Sequence, residues 1–240
     1  MILPKRLIFI ILGSVSIAFH VYLIFAGLIP NLVARPIHVM LAMPWVFLFG
    51  PKSIRDNIFG ILFVVAGLLC CFYIILQEAK LSEQYGALEG PGQLILAVLL
   101  IGIILEMARR SVGWPLPFVA LIFLIYGLYG QYLPGEFGHP GLPISSFLGN
   151  LTIAEGGIWG SLTGISVNIV AIFVILGAAL NAGEAGQGFM NLASFAAGSL
   201  KGGAAKISVL SSAFFGSISG SASANVASTG AVTLAAMRKL

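Results

Sequence analysis

The chain alternates long apolar runs with short polar connections, and this pattern predicts a membrane protein. A bilayer core of about 30 Å is crossed by roughly 20 apolar residues in a helix, because backbone groups in lipid must be hydrogen-bonded within the segment. The second run contains two prolines, Arg35 and His38, so a kink or tilt is expected there. Six runs are interpreted as spanning helices: residues 7–29, 32–50, 58–76, 92–107, 114–132 and 158–180.

Composition excludes the other broad classes. The chain has 240 residues, of which 59% are hydrophobic and 8% are charged, whereas soluble domains average about 25% charged residues. A disordered chain needs low hydrophobicity and high charge, which is the opposite of this composition. Cys70 and Cys71 are adjacent in an apolar run, so they are interpreted as core or lipid-facing residues rather than as a disulfide.

The basic residues predict the orientation of the chain, because short cytoplasmic loops collect lysine and arginine. Only Arg35 and Lys80 fall on the opposite side of the predicted spans, so the amino terminus is expected to be cytoplasmic. Arg238 and Lys239 satisfy the same rule if residues 207–237 form a re-entrant helical hairpin that returns to the cytoplasm. The eight residues that share the first side are Lys5, Arg6, Lys52, Arg55, Arg109, Arg110, Lys201 and Lys206.

The most unusual composition lies inside that hairpin. Residues 211–230 contain seven serines, four alanines and three glycines, together with one threonine and one asparagine. Non-helical backbone at membrane depth is tolerated only where it is buried in protein or lines a cavity. Hydroxyl, amide and carbonyl oxygens suit a hard cation, and the amino end of a half-helix suits a carboxylate. The segment therefore predicts a site for sodium and a carboxylate; a tight helix-packing face is the alternative.

Three segments carry a resemblance to a known family. Residues 202–239 resemble the first hairpin region of the large membrane subunit of tripartite ATP-independent periplasmic (TRAP) transporters. The closest variant is the fused permease that works with TAXI-type solute-binding proteins, and residues 105–117 and 132–141 are similar to its connecting region. The resemblance implies small-subunit-like scaffold helices over 1–113, a connecting helix and outer loop over 114–144, and the start of a large, DctM-like transport domain over 145–240, with the second repeat missing.

The resemblance also implies a function. It implies a permease in the inner membrane of a bacterium or archaeon that imports an organic anion delivered by a periplasmic solute-binding protein. Sodium is the implied coupling ion, protons are the alternative, and no other cofactor is expected. The rival interpretation is a structural or assembly subunit, or a truncated permease without transport activity. The residues that match the hairpin tip and its returning arm, where cation and substrate contacts are implied, are Ser217, Ser219, Gly220, Ser221, Asn225 and Thr229.

Residues outside the hairpin give weaker predictions. Asn168 lies in the sixth apolar run, where an interhelical hydrogen bond is favoured over lining the site. Glu106 precedes Arg109 by three residues and predicts a surface ion pair. His20 and His38 stand alone in their runs and are interpreted as packed or interfacial histidines, with His20 worth testing as a proton carrier.

Two further segments complete the sequence predictions. Apolar residues at helical spacing in residues 186–200 predict a short amphipathic helix on the cytoplasmic surface. In the glycine-flanked motif at residues 216–220 the central position of a nucleophile elbow is Ile218. The nucleophile position of this motif therefore holds no serine, and an enzyme is not expected.

Overall fold

The computed structural model describes residues 5–26, 28–49, 54–183 and 185–218. All regular structure in these ranges is helical, which confirms the predicted all-α fold. A π-helical segment, Ser166–Val170, separates α8 from α9. The α-helices are α1 (Lys5–Phe25), α2 (Asn31–Phe47), α3 (Ile54–Leu76), α4 (Glu78–Glu83), α5 (Gly90–Val112), α6 (Pro115–Tyr129), α7 (Ile144–Thr152), α8 (Ser161–Ile165), α9 (Ala171–Ala182), α10 (Ala185–Ala197) and α11 (Gly203–Ile218).

Within the described ranges, five helical stretches are long and apolar enough to cross a membrane. Five of the six predicted runs overlap them. The second run forms α2, which is a 17-residue helix with Pro36 and Pro44 inside it. The five stretches are Arg6–Phe25, Ile58–Leu76, Gly90–Val112, Pro115–Tyr132 and Ser161–Leu180.

Helix α5 is longer than the apolar run that predicted it. It has 23 residues and includes Arg109 and Arg110 in its last turn, where basic side chains complement the negative end of the helix dipole. Pro91 stands in its first turn, where the missing N–H costs no hydrogen bond. Gly113 ends the helix with a φ of 90°, a conformation that favours glycine. Polar and glycine signals at the two ends therefore extend the helix beyond its apolar middle.

The chain folds into two compact units, residues 1–167 and 168–240. The core of the first unit is formed where α2, α3 and α5 pack together, and Cys70 and Cys71 are buried in it. This placement favours the core interpretation of the two cysteines. Outward-facing residues of α1, α3 and α6 are large and apolar, as expected for lipid-facing surfaces. The fully buried members of the core include Leu32, Met43, Phe47, Ile74, Leu100 and Trp159.

The second unit contains α9, α10 and α11. Helices α10 and α11 pack through Phe189, whose ring centroid lies 5.9 Å from Phe214 and 5.4 Å from Phe215. Ala193 and Ala197 are buried on α10, so small side chains allow the helices to approach closely. The helix predicted over 186–200 is confirmed as α10, which ends at Ala197, and its place on the cytoplasmic surface stays a prediction. Of the hairpin predicted over 207–237, the described part is the helix that ends at Ile218, and residues 219–240 lie outside the described residues.

The ion pair predicted between Glu106 and Arg109 is confirmed, and it includes a second arginine, Arg110. Glu106 Oε2 lies 2.6 Å from Arg109 Nε, and its Oε1 lies 2.7 Å from Arg110 Nε. The side chains of Glu106 and Arg110 are only 19% and 14% exposed. The Arg110 guanidinium also lies 5.1 Å from the centroid of the Phe47 ring. This carboxylate therefore pairs with two arginines at the end of α5.

Replacing Glu106 with glutamine is expected to lower the free energy of unfolding by about 1–2 kcal/mol, because two partly buried guanidinium groups lose their counter-charge. Glu89→Gln, at the residue that precedes the same helix, is the matched control. Its carboxylate pairs with Lys80 at 3.1 Å, but the two side chains are 58% and 56% exposed, and such a pair contributes less than about 1 kcal/mol. Thermal unfolding in detergent measures both variants. Equal losses would contradict the importance of burial at Glu106.

Candidate functional site

The described part of the predicted binding segment is the end of helix α11. Ser217 is exposed, and its hydroxyl donates a hydrogen bond to the Phe214 carbonyl at 2.7 Å. This local bond uses the hydroxyl proton and leaves oxygen lone pairs available to accept another contact. The other predicted site residues lie outside the described residues, so the cation and substrate site remains a prediction: Ser219, Gly220, Ser221, Asn225 and Thr229.

Ser211, the first residue of the serine-rich segment, points into the second unit. Its side chain is fully buried, and its hydroxyl oxygen has no hydrogen-bond partner among the described residues. A buried hydroxyl without a partner costs about 1–3 kcal/mol. Phe215 is buried one turn later, whereas Ser217 is exposed. Helix α11 therefore carries hydroxyl groups both towards its packed face and towards its open face.

Asn168 lies in the π-helical segment that interrupts the span Ser161–Leu180. Its side chain is exposed in this chain. Single-turn π segments occur mostly inside α-helices and often at functional positions. The interhelical hydrogen bond expected for Asn168, and its alternative role in lining the site, both remain predictions.

A second polar cluster lies between α2 and the segment that leads into α8. Arg35 extends from α2, and its Nη1 donates a hydrogen bond to the carbonyl of Trp159. Gly164 of α8 lies against the guanidinium, since a Cβ at this position would stand 2.9 Å from Arg35 Nη2. Trp159 is fully buried, and its Nε1 donates to the Thr152 carbonyl at 2.6 Å. Arg35 and Trp159 thus connect α2 to the turn that follows α7.

The two histidines that stand alone in the sequence are paired in the structure. His20 Nε2 of α1 lies 2.8 Å from His38 Nδ1 of α2, and His38 Nε2 lies 3.1 Å from the Ser166 hydroxyl oxygen. His20 Nδ1 lies 2.7 Å from the Ser16 carbonyl oxygen. The interpretation of His20 and His38 as isolated was therefore wrong. Their sequence separation of 18 residues gives no periodic signal for the pairing, and polar residues inside apolar runs were the only indication available.

The donor set of this cluster does not resemble a metal site. The facing nitrogens of His20 and His38 are at hydrogen-bond distance from each other, which leaves no room for an ion between them. Within the described ranges, no group of three or more histidine, cysteine, aspartate or glutamate side chains is placed to hold a metal ion. The arrangement can instead accept, share and donate protons.

The chain from the middle of α5 onward matches a known family model. A family model described as the tripartite ATP-independent periplasmic transporter, DctM component, matches residues 97–240. The matched region begins inside α5 and includes α6 to α11 together with the serine-rich segment. No curated protein and no solved structure matches the chain.

Proposed function

Because the chain belongs to the DctM-component family of tripartite ATP-independent periplasmic (TRAP) transporters, we propose that it imports an organic carboxylate with sodium as the coupling ion. The family makes the chain a multi-pass membrane permease of a secondary transporter, not an enzyme, with a periplasmic solute-binding protein as its partner. The observation that carries the proposal is the family match over 97–240, which includes the hydroxyl-rich residues 211–230.

The chemistry of that segment supports both ligands. Ser217, Ser219, Ser221, Asn225 and Thr229 bring neutral oxygens into a short stretch, and sodium is a hard cation that prefers such ligands. Gly220 lies between two of the serines, where a glycine permits backbone conformations that expose carbonyl oxygens. A half-helix that begins after such a turn presents N–H groups to a carboxylate.

The proposed partner is a TAXI-type solute-binding protein, and the proposed location is the inner membrane of a bacterium or archaeon. The resemblance of residues 105–117 and 132–141 to the connecting region of TAXI-associated fused permeases supports this choice. In the structure this region contains the end of α5, the start of α6, and the loop that carries His139. The Tyr126 hydroxyl and the His139 ring fix that loop, donating to the Phe137 and Tyr126 carbonyls at 3.0 Å each.

Transport measurements in proteoliposomes test the proposal. The permease is reconstituted with a TAXI-type binding protein from the same genome, and the uptake of labelled carboxylates is followed with and without an inward sodium gradient. We expect uptake to require both the binding protein and sodium. Ser221→Ala is expected to raise the half-saturating sodium concentration about fivefold, because one oxygen contact contributes about 1 kcal/mol.

Ser111→Ala is the matched control for Ser221→Ala. The Ser111 hydroxyl is exposed at the end of α5 and donates to the Met107 carbonyl at 2.8 Å, so its removal is expected to leave the sodium dependence unchanged. Uptake that follows a proton gradient and ignores sodium would replace sodium by protons in the proposal. A folded chain that binds its partner but shows no uptake would favour a structural subunit.

A further inference from the structure

A continuous chain of hydrogen bonds crosses the first unit through three elements. It runs from the Ser16 carbonyl to His20 on α1, from His20 to His38 on α2, and from His38 to Ser166. The contact distances are 2.7, 2.8 and 3.1 Å in that order. The His20 side chain is only 6% exposed, and the residues around it on α1 are apolar. Polar groups buried in such surroundings are costly unless each is paired, so the direction of every bond in the chain can be assigned.

The partners fix the position of each ring proton. A carbonyl oxygen only accepts, so His20 Nδ1 carries a proton that it donates to Ser16. In a neutral ring His20 Nε2 is then an acceptor, and His38 Nδ1 donates to it. His38 Nε2 is in turn an acceptor, and the Ser166 hydroxyl donates to it. Both neutral rings therefore have their proton on Nδ1, and every bond in the chain is satisfied.

The same chain accepts one further proton without losing a bond. A proton from water forms an N–H bond at His38 Nε2, and the Ser166 hydroxyl rotates so that its oxygen accepts instead of donating. The positive charge is then shared with His20, because the proton between the two rings can lie nearer either nitrogen across 2.8 Å. A second proton would place two N–H groups head to head at that distance, which the geometry forbids.

We propose that His20 and His38 form a proton-binding site that holds at most one added proton, and that Ser166 reverses its hydrogen bond when the proton binds. The site is independent of the proposed sodium and carboxylate site, since it uses none of the residues of 211–230. Ser166 is also the first residue of the π-helical segment Ser166–Val170. Proton binding therefore changes a hydrogen bond at the point where the span Ser161–Leu180 leaves regular α-helical geometry.

The permanent charge on α2 also disfavours a second proton. Arg35 precedes His38 by three residues on α2, which places a permanent positive charge on the neighbouring turn. Its guanidinium donates to the Trp159 carbonyl, and this bond neutralises no charge. Glu106 is already paired with two arginines. Among described side chains, the other titratable or charged groups on the packed helices are Arg6 and Tyr22 on α1, Cys70, Cys71 and Tyr73 on α3, and Arg109 and Arg110 on α5.

Nitrogen NMR of the histidine rings tests the proposal directly. The chain has three histidines, so ¹⁵N-histidine labelling in lipid nanodiscs gives three sets of ring signals. His139 is an internal control with the opposite tautomer, because its Nε2 donates to the Tyr126 carbonyl and its Nδ1 accepts from the Gly141 N–H. At alkaline pH we expect two rings protonated on Nδ1 and one on Nε2. His139→Gln removes the control signal and completes the assignment.

Lowering the pH from about 9 to about 4 is expected to add one proton to the His20–His38 pair. His20→Gln is expected to leave His38 to titrate alone, with its ring signals moving independently, while circular dichroism reports whether the helices are retained. Uptake of two protons by the pair, or of none over this range, would overturn the proposal. Neutral rings protonated on Nε2 instead of Nδ1 would also overturn it.

Discussion

Replacing Trp159 with alanine is expected to lower the free energy of unfolding of the first unit by about 3–5 kcal/mol. Trp159 is fully buried and is the largest of the fully buried side chains. Its removal leaves a cavity among close-packed neighbours and also removes the hydrogen bond from Nε1 to the Thr152 carbonyl at 2.6 Å. The same residue accepts the Arg35 hydrogen bond through its backbone. A shift of this turn therefore disturbs the contact with α2 as well.

Two further variants separate the causes of that loss. Trp159→Phe retains an aromatic ring but loses the indole donor, and it is expected to cost about 1–2 kcal/mol. Trp114→Ala is the matched control, because Trp114 is 67% exposed, with the Arg109 guanidinium 5.2 Å from its ring centroid. This control is expected to cost less than about 1 kcal/mol. Unfolding in detergent, followed by the circular dichroism of the helices, compares the three variants. Similar losses in the free energy of unfolding for Trp159→Ala and Trp114→Ala would refute the role of burial.

The length of the apolar runs predicts most of the helices, but it fails where a glycine turn sets the end of a helix. The run over 158–180 predicts a helix that includes Trp159, but α8 begins at Ser161. Gly160 precedes it in an extended conformation, and a Cβ there would lie 2.4 Å from the Gly156 carbonyl oxygen. A tight glycine turn therefore separates Trp159 from the helix. Hydropathy cannot detect this turn, because tryptophan is equally apolar in a spanning helix and in a buried turn.

The polar pairs depend on tertiary structure and were only partly predictable. Glu106 and Arg109 are three residues apart on one helix, so helical spacing is enough to predict their contact. The partners Asn31 and Glu155 lie 124 residues apart, and the same separation divides Arg35 from the Trp159 carbonyl. Such contacts depend on which helices are neighbours, and no periodicity in the chain encodes that choice.

The candidate cation site shows what composition alone can predict. Seven serines in residues 211–230 predict that this segment is not a lipid-facing helix, and the prediction needs only the sequence. Composition does not specify which oxygens converge, because hydroxyl groups point in different directions around a helix or turn. Within the described part, Ser211 is buried and Ser217 is exposed although both belong to the same serine-rich segment. The ligand assignment therefore depends on the transport experiments with Ser221→Ala.

Replacing Gly149 with alanine is expected to cost about 1–3 kcal/mol, towards the upper end of the usual range for overpacking. Gly149 is buried where α7 meets the loop before α5, and a Cβ there would lie 2.0 Å from the Gly86 carbonyl oxygen and 3.2 Å from the Leu88 nitrogen. Both contacting groups are backbone, so no side chain can rotate away. The loop is also constrained by positive φ angles at Tyr85 and Gly86 and by the hydrogen bond from Leu88 N to the Ser145 carbonyl.

Gly102→Ala provides the matched control for this glycine. It lies within α5, and a Cβ at this position would meet no described atom within 4 Å. Alanine there is expected to leave stability unchanged or to raise it by up to about 1 kcal/mol, because alanine loses less backbone entropy in a helix. Unfolding in detergent compares the two variants with the parent chain. Equal stability of the Gly149 and Gly102 variants would show that the loop around Gly86 moves without a loss in the free energy of unfolding. A loss confined to Gly149→Ala would show that backbone contact holds α7 against the loop before α5.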